Sequence, residues 1–180
     1  MNNQVQAELK KIFNGRFSTS ESTRANYARG EDTYDPVLSK AVVFPETNEE
    51  VSKILSLCNE HKIPVVPFGT GTSLEGNVVG NDKGITISLE KMNKILSVNA
   101  EDFDCRVQAC VTKEQLNEYL REDGVFFPID PGANAAIGGM ASTSASGTMA
   151  VKYGTMKTVI TGLTVVLPSG EIVKTGSRTK

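Results

Sequence analysis

Apolar side chains at Val5, Leu9, Ile12 and Phe13 fall on one face of a helical repeat, so the chain opens with a short amphipathic helix. A polar stretch, RANYARGEDTYDP, separates it from Ala41-Val42-Val43-Phe44, a brief buried strand that Pro45 stops. Thr47 and Glu50 then have the spacing of a capping box, in which each side chain would satisfy the other's backbone N–H. Val51, Ile54, Leu55 and Cys58 follow at i, i+3, i+4 and i+7, which predicts a helix. Ile63-Pro64-Val65-Val66-Pro67 reads as the next strand, giving a β-α-β unit with a parallel pair.

Past residue 84 the period changes from helical to alternating. Gly84-Ile85-Thr86-Ile87-Ser88-Leu89, Ile95-Leu96-Ser97-Val98 and Cys105-Arg106-Val107-Gln108-Ala109 read as strands. Thr112 and Gln115 suggest a second capping box, with Leu116, Tyr119 and Leu120 as the buried face of its helix. Val159 to Leu167, a turn at Pro168-Ser169-Gly170, and Glu171 to Lys174 predict a closing hairpin. The expected class is α+β (α/β), in three segments. Residues 1–30 are an N-terminal helical segment, 31–84 a β-α-β lobe with one glycine loop, and 85–180 a more strand-rich lobe with another.

Charge narrows the partners. Nineteen basic against twenty-one acidic side chains leave a formal net charge of −2, so no basic field invites nucleic acid or an anionic membrane surface. No apolar run is long enough to span a membrane, and the opening MNNQVQAELKKIFNGRF lacks the apolar core of a signal peptide. Cys58, Cys105 and Cys110 are odd in number and show no CxxC spacing, which favours reduced thiols in a cytoplasmic protein.

Two segments rich in small residues carry the chemistry. The first, Pro67-Phe68-Gly69-Thr70-Gly71-Thr72-Ser73-Leu74-Glu75-Gly76-Asn77, directly follows a strand. Glycine lets the backbone approach a ligand closely, successive N–H groups can converge on phosphate oxygens, and Thr70, Thr72 and Ser73 add hydroxyls. No Lys or Arg lies in this loop, and its GxGxxxxG spacing is neither the GxGxxG of a Rossmann turn nor a P-loop. Taken alone, it reads equally well as a structural turn. In the second segment, residues 132–147, 13 of 16 positions are Gly, Ala, Ser or Thr. So little apolar volume argues against core building, and a helix start near Gly138-Gly139 would offer N–H groups to an anion. Tight packing of helix on sheet is the competing explanation. Two such loops beside strands suit one long ligand carrying a diphosphate and a ring system.

Those residues resemble a known family. PFGTGTSLEGN, then FPIDPGANAAIGGMASTSASGTMAVKYGTMKTVITGLTVVLPSGEIV, is similar to the FAD domain of the FAD-linked oxidases, also called the PCMH-type or vanillyl-alcohol oxidase flavin fold. The likeness runs from about Tyr27 onward, includes AVVFPETNEEVSKILSLCNEHKIPVVPFG, and is strongest to the D-lactate dehydrogenase and glycolate oxidase branch. It implies two small α/β lobes with the cofactor cleft between them. The first loop would hold the FAD pyrophosphate through Pro67, Gly69, Thr70, Gly71, Thr72, Ser73 and Gly76. Pro131, Gly132, Gly138, Gly139, Ser142, Ser146 and Gly147 would lie against pyrophosphate and flavin, with Tyr153 and Gly154 close by. Relatives that attach flavin covalently use a histidine where this chain has Thr72, so non-covalent FAD is expected. Asparagine is frequent among relatives at the place of Ser144.

The resemblance further implies a chain cut before a substrate-binding cap, with a 2-hydroxy acid bound only when that cap is present. An uncovered sheet edge would then favour weak FAD retention and self-association. No catalytic residue and no metal ligand is assigned. His61, the only histidine, suits a helix end, and Arg24, Arg29 and Arg106 read as solvated. Oxidising a 2-hydroxy acid needs a base for the hydroxyl proton and a cation for the carboxylate, so the chain alone is expected to be inactive. The alternatives are a non-catalytic flavin-binding subunit or module, and a family branch acting on another alcohol or sugar acid.

Overall fold

A computed structural model describes residues 3–178, which divide into two compact units. The first unit runs to Lys91 and takes back Thr164–Val173; the second comprises Met92–Leu163 and the residues from Lys174 onward. The boundary therefore falls after Lys91 rather than at 84, and the N-terminal helix belongs to the first unit.

The first unit is a sheet with helices on one face. The strands are β1 (Phe17–Ser18), β2 (Val42–Val43), β3 (Val65–Phe68) and β4 (Ile85–Ser88), in the order β1-β2-β4-β3. β4 runs parallel to both β2 and β3, while β1 is antiparallel to β2. The expected β2/β3 pair is thus split by a strand that had been placed in the other lobe. Alternating Ile85-Thr86-Ile87-Ser88 suggested a strand with one wet face, yet all four residues are buried. The hydroxyls make this tolerable: Thr86 Oγ1 donates to Ser39 Oγ at 2.8 Å, and Ser88 Oγ donates to Glu90 at 3.4 Å. β3 carries Pro67, which has no N–H, so an edge position suits it.

Two helices cover that sheet. From α1 (Asn3–Ile12) come Val5 and Leu9, with Phe13 just beyond; α3 (Asn48–Glu60) supplies Ile54 and Cys58. They close over Ala41, Val43, Ile85 and Ile87 in one core, where burying each large side chain is worth about 1.5–3 kcal/mol. Ile12, expected on the buried face of α1, is 42% exposed. A short α2 (Glu21–Asn26) is capped by Ser20. Burial without a polar partner pushes the Cys58 thiol up to about 11, so it behaves as core filler.

Both capping boxes form by half. Thr47 accepts the Glu50 N–H, but the Glu50 carboxylate turns to the Glu46 N–H at 2.7 Å and to both Arg16 guanidinium nitrogens at 2.6 Å. Thr112 accepts the Gln115 N–H, while the Gln115 amide donates to Asn93 O. In each case a stronger or nearer tertiary partner takes the side chain.

In the second unit, β5 (Ile95–Asn99) and β6 (Asp104–Val107) form an antiparallel ribbon, and α4 (Lys113–Leu120) buries Leu116 and Leu120 with Val111. Short helices α5 (Ile137–Ser142), α6 (Ala150–Tyr153) and α7 (Met156–Val159) follow. A separate core gathers Ile129, Met140 and Met156. The unit is therefore more helical than expected. The small-residue segment does contribute to a core, through Met140 with Ile137, Ala141 and Ala145, because Ile129 and Met156 supply the missing volume. The closing hairpin is β7 (Gly162–Val166) and β8 (Ile172–Gly176), paired with each other. Its turn is fixed to α3, where Ser52 Oγ donates to Gly170 O at 2.5 Å and Ser56 Oγ to Ser169 O at 3.1 Å.

Candidate functional site: two small-residue loops

β3 ends on Phe68, only 6% exposed, and the chain turns over that ring. Gly71 takes a left-handed φ of +75°, and a Cβ there would stand 2.8 Å from Phe68 Cζ, so only glycine lets the loop close down. Gly76 repeats this at φ +72°, where a Cβ would stand 2.7 Å from the Tyr34 ring. No helix follows the loop, as its spacing predicted.

Part of its backbone donor set is not used inside the fold. Among the described residues, the backbone N–H groups of Gly71, Thr72, Ser73 and Leu74 have no acceptor. Thr70 Oγ1 and Thr72 Oγ1 stand 3.4 Å apart, and Ser73 Oγ accepts from Asn77 Nδ2 at 3.2 Å. The first loop thus offers successive amides and hydroxyls without a cation among them. That donor set fits a diphosphate held by dipoles. Pro67 is exposed and Gly69 half-buried at the loop's entry.

The second segment is organised differently. Gly138 packs so that a Cβ would meet Ala109 Cβ at 2.8 Å, and a Cβ on Gly147 would fall 1.8 Å from Asp130 O. The Ile137 and Gly138 N–H groups donate to Val111 O and Ala109 O, both at 2.8 Å, so these amides of the α5 start are not free for an anion. Ser142 Oγ donates back to Gly138 O at 2.9 Å. Here the tight-packing explanation holds for Gly138 and Gly147. Gly139 and Gly132 differ, since a Cβ on either would meet nothing within 4 Å. Pro131 and Ser146 are exposed.

Ser144 sits at φ +51°, a left-handed conformation that asparagine adopts more readily than serine. Tyr153 stands edge-on to Phe126 with centroids 5.6 Å apart, and Lys152 Nζ lies 5.0 Å from its ring centre. Gly154 turns at φ +79° against Thr158. The segment is anchored at Asp130, which accepts from Lys113 Nζ at 2.7 Å; that bond, helped by the Gly132 N–H, holds its carboxyl below the usual range.

Other chemistry is sparse. A concavity of about 690 Å³ opens at the start of α4, where Glu114 and Glu118 among its lining residues disfavour a diphosphate. His61 caps the C-terminus of α3 through its backbone. Among the described residues no cluster could hold a metal ion, and no helix is long and apolar enough to cross a membrane. Sequence reasoning passed over Phe68, Gly30 and Asp32, which pack beneath or beside the first loop; a glycine two positions before an aspartate within a polar stretch was the available signal.

Comparison with known proteins adds independent findings. The family model described as FAD binding domain matches residues 39–176. Mitochondrial D-lactate dehydrogenase [cytochrome] of Arabidopsis thaliana is 42% identical over 176 residues, which are 97% of this chain and 31% of that protein. Glycolate oxidase subunit GlcD of Bacillus subtilis is 32% identical over 164 residues, 90% of this chain and 35% of the other. The chain thus spans about a third of the length of these curated relatives. Among solved structures, alkyldihydroxyacetonephosphate synthase superposes with a TM-score of 0.87 at 21% identity, covering 98% of this chain and 35% of that one. A p-cresol methylhydroxylase with substrate bound gives 0.81 at 24% identity, covering 97% and 35%. The last two establish likeness of fold.

Proposed function

The chain belongs to the FAD binding domain family, its cofactor is FAD, and from that premise we propose that it is the flavin-holding part of an oxidoreductase acting on 2-hydroxy acids. The observation that carries this reading is the first loop, where the Gly71–Leu74 amides and the hydroxyls of Thr70, Thr72 and Ser73 form a neutral donor set. These residues, with Pro67, Gly69 and Gly76, bind the pyrophosphate. In the second segment Gly139, Gly132, Ser146 and Pro131 contact the cofactor directly, while Gly138, Ser142 and Gly147 shape the backbone that presents them. Tyr153 is a further cofactor contact within the second unit. The similarity to D-lactate dehydrogenase and glycolate oxidase subunits supports D-lactate or glycolate as the substrate class.

FAD, when bound, supplies the redox chemistry, and the chain's residues hold and orient it. Thr72 cannot form the covalent flavin link that a histidine makes, so the cofactor is non-covalent; acid precipitation of the loaded protein should leave all flavin in the supernatant. No residue among those described is assigned as a base or carboxylate clamp, and dye reduction with D-lactate or glycolate by these 180 residues should be absent. Free thiols at Cys58, Cys105 and Cys110 support a cytoplasmic or other reducing compartment. The deciding experiment is titration of the purified chain with FAD: saturable quenching of flavin fluorescence is expected, and unquenched flavin at excess protein would remove the assignment.

A further inference from the structure

The polar stretch between α2 and β2 has no role in the function proposed above, yet its backbone is built against the first loop. A Cβ on Gly30 would stand 2.6 Å from Ser73 O and 2.9 Å from Gly71 O, two main-chain carbonyls that can yield only by turning their whole peptide planes. The Glu31 N–H donates to Gly71 O at 3.0 Å. Asp32, only 8% exposed, fixes this turn by accepting the Gly30 N–H at 3.1 Å and the Tyr34 N–H at 3.0 Å. Tyr34 lies beside Gly76, and Tyr27 stands edge-on to Phe68 at 5.1 Å, beneath Gly71. Ala28 O accepts the Gly80 N–H at 2.9 Å, where the loop returns toward β4.

In a trans peptide the carbonyl of one residue and the N–H of the next point opposite ways. Turning the Gly71 and Ser73 carbonyls toward Gly30 therefore turns the Thr72 and Leu74 N–H groups away from it. Those are two of the four amides without an acceptor among the described residues.

We propose that residues 27–34 form a positioning collar for the FAD loop, in which Gly30 and Asp32 fix the direction of the Thr72 and Leu74 amides. The inference rests on the reading of the first loop as the pyrophosphate site. Gly30 and Asp32 act through that loop and need not touch the cofactor. A side chain at position 30 displaces the two carbonyls and rotates the amides out of alignment.

The test compares the 180-residue chain with Gly30→Ala, Asp32→Asn and Asp32→Ala, using FAD fluorescence titration, thermal unfolding without FAD, and amide hydrogen exchange. Gly30→Ala should weaken FAD binding at least ~10-fold, the cost of about one charge-assisted hydrogen bond. Its FAD-free melting point should fall, because two backbone carbonyls must shift, but the chain should remain folded at the titration temperature, with faster exchange at the Glu31 amide and unchanged exchange in α3 and β4. Asp32→Asn keeps one acceptor and should bind FAD better than Asp32→Ala. Should Gly30→Ala fail to fold, the ranking of parent, Asn and Ala at position 32 decides. Parental affinity in Gly30→Ala, equal affinity across the position-32 series, or a loss that merely tracks the melting point would overturn the collar. A parent chain that binds no FAD would instead overturn the function itself.

Discussion

The two small-residue loops look alike in composition and differ in what their glycines do. In the first, Gly71 and Gly76 let the main chain lie on aromatic rings, and the amides of Gly71, Thr72, Ser73 and Leu74 stay without acceptors among the described residues. In the second, Gly138 and Gly147 let one stretch of backbone pass close to another, and the amides of Ile137 and Gly138 are engaged. Glycine richness alone does not mark a phosphate cradle. What distinguishes one is whether the N–H groups that the turns expose find acceptors inside the fold.

The largest effect should come from the second loop. Gly147→Ala drives a Cβ into the Asp130 backbone and should cost about 3 kcal/mol, read from urea unfolding. A parental unfolding midpoint would erase the distinction between the loops. The matching test in the first loop is the double change Thr70→Ala with Thr72→Ala. With about 1 kcal/mol per lost hydroxyl bond, it should weaken FAD binding roughly thirtyfold and lower urea stability far less than Gly147→Ala does. If stability fell and affinity did not, this loop too would be a packing element.

Acid should separate the units' foundations. Arg16 hydrogen bonding holds the Glu50 carboxyl at about 2 against an ordinary 4.5. Its stabilisation is complete above pH 4.5 and disappears as pH falls toward 2, when the native carboxylate is finally protonated. Glu50→Gln should flatten that part of the acid-unfolding curve, by about 1 kcal/mol for a pair this near solvent. Asp130 is lowered as well, by Lys113, so Asp130→Asn should remove an acid-dependent increment from the second unit's exchange protection in the same sense.

The smallest effect is the sharpest. Gly139→Ala replaces a helical glycine with open space around it, so it should raise stability by about 0.5–1 kcal/mol. If Gly139 contacts the cofactor, FAD affinity should fall while stability rises. Unchanged affinity would leave the second loop as scaffold at that position.

Much of the framework was legible along the chain. Val5, Leu9 and Phe13, then Ile54 and Cys58, announced buried helix faces because their spacing matches the helical repeat. The first loop was legible as an irregular turn after a strand because its spacing fits no strand-to-helix phosphate motif. β4 was misplaced because alternation reports a strand but not which sheet receives it, and acceptors at Ser39 and Glu90 for its buried hydroxyls removed the wet face it implied. The Glu50 and Gln115 side chains left their capping boxes for tertiary partners that no local pattern names.

By itself the sequence determined the α+β class, the helices with strong apolar period, the two loop positions and the family likeness. All of these depend on residues near one another in the chain, where periodicity and turn chemistry act. Tertiary structure decided strand order, which glycines are forced by a neighbouring backbone, and the placing of Gly30 and Asp32 beside a loop distant in sequence. Those outcomes turn on which main-chain groups meet in space, and a residue's identity does not encode its distant neighbour.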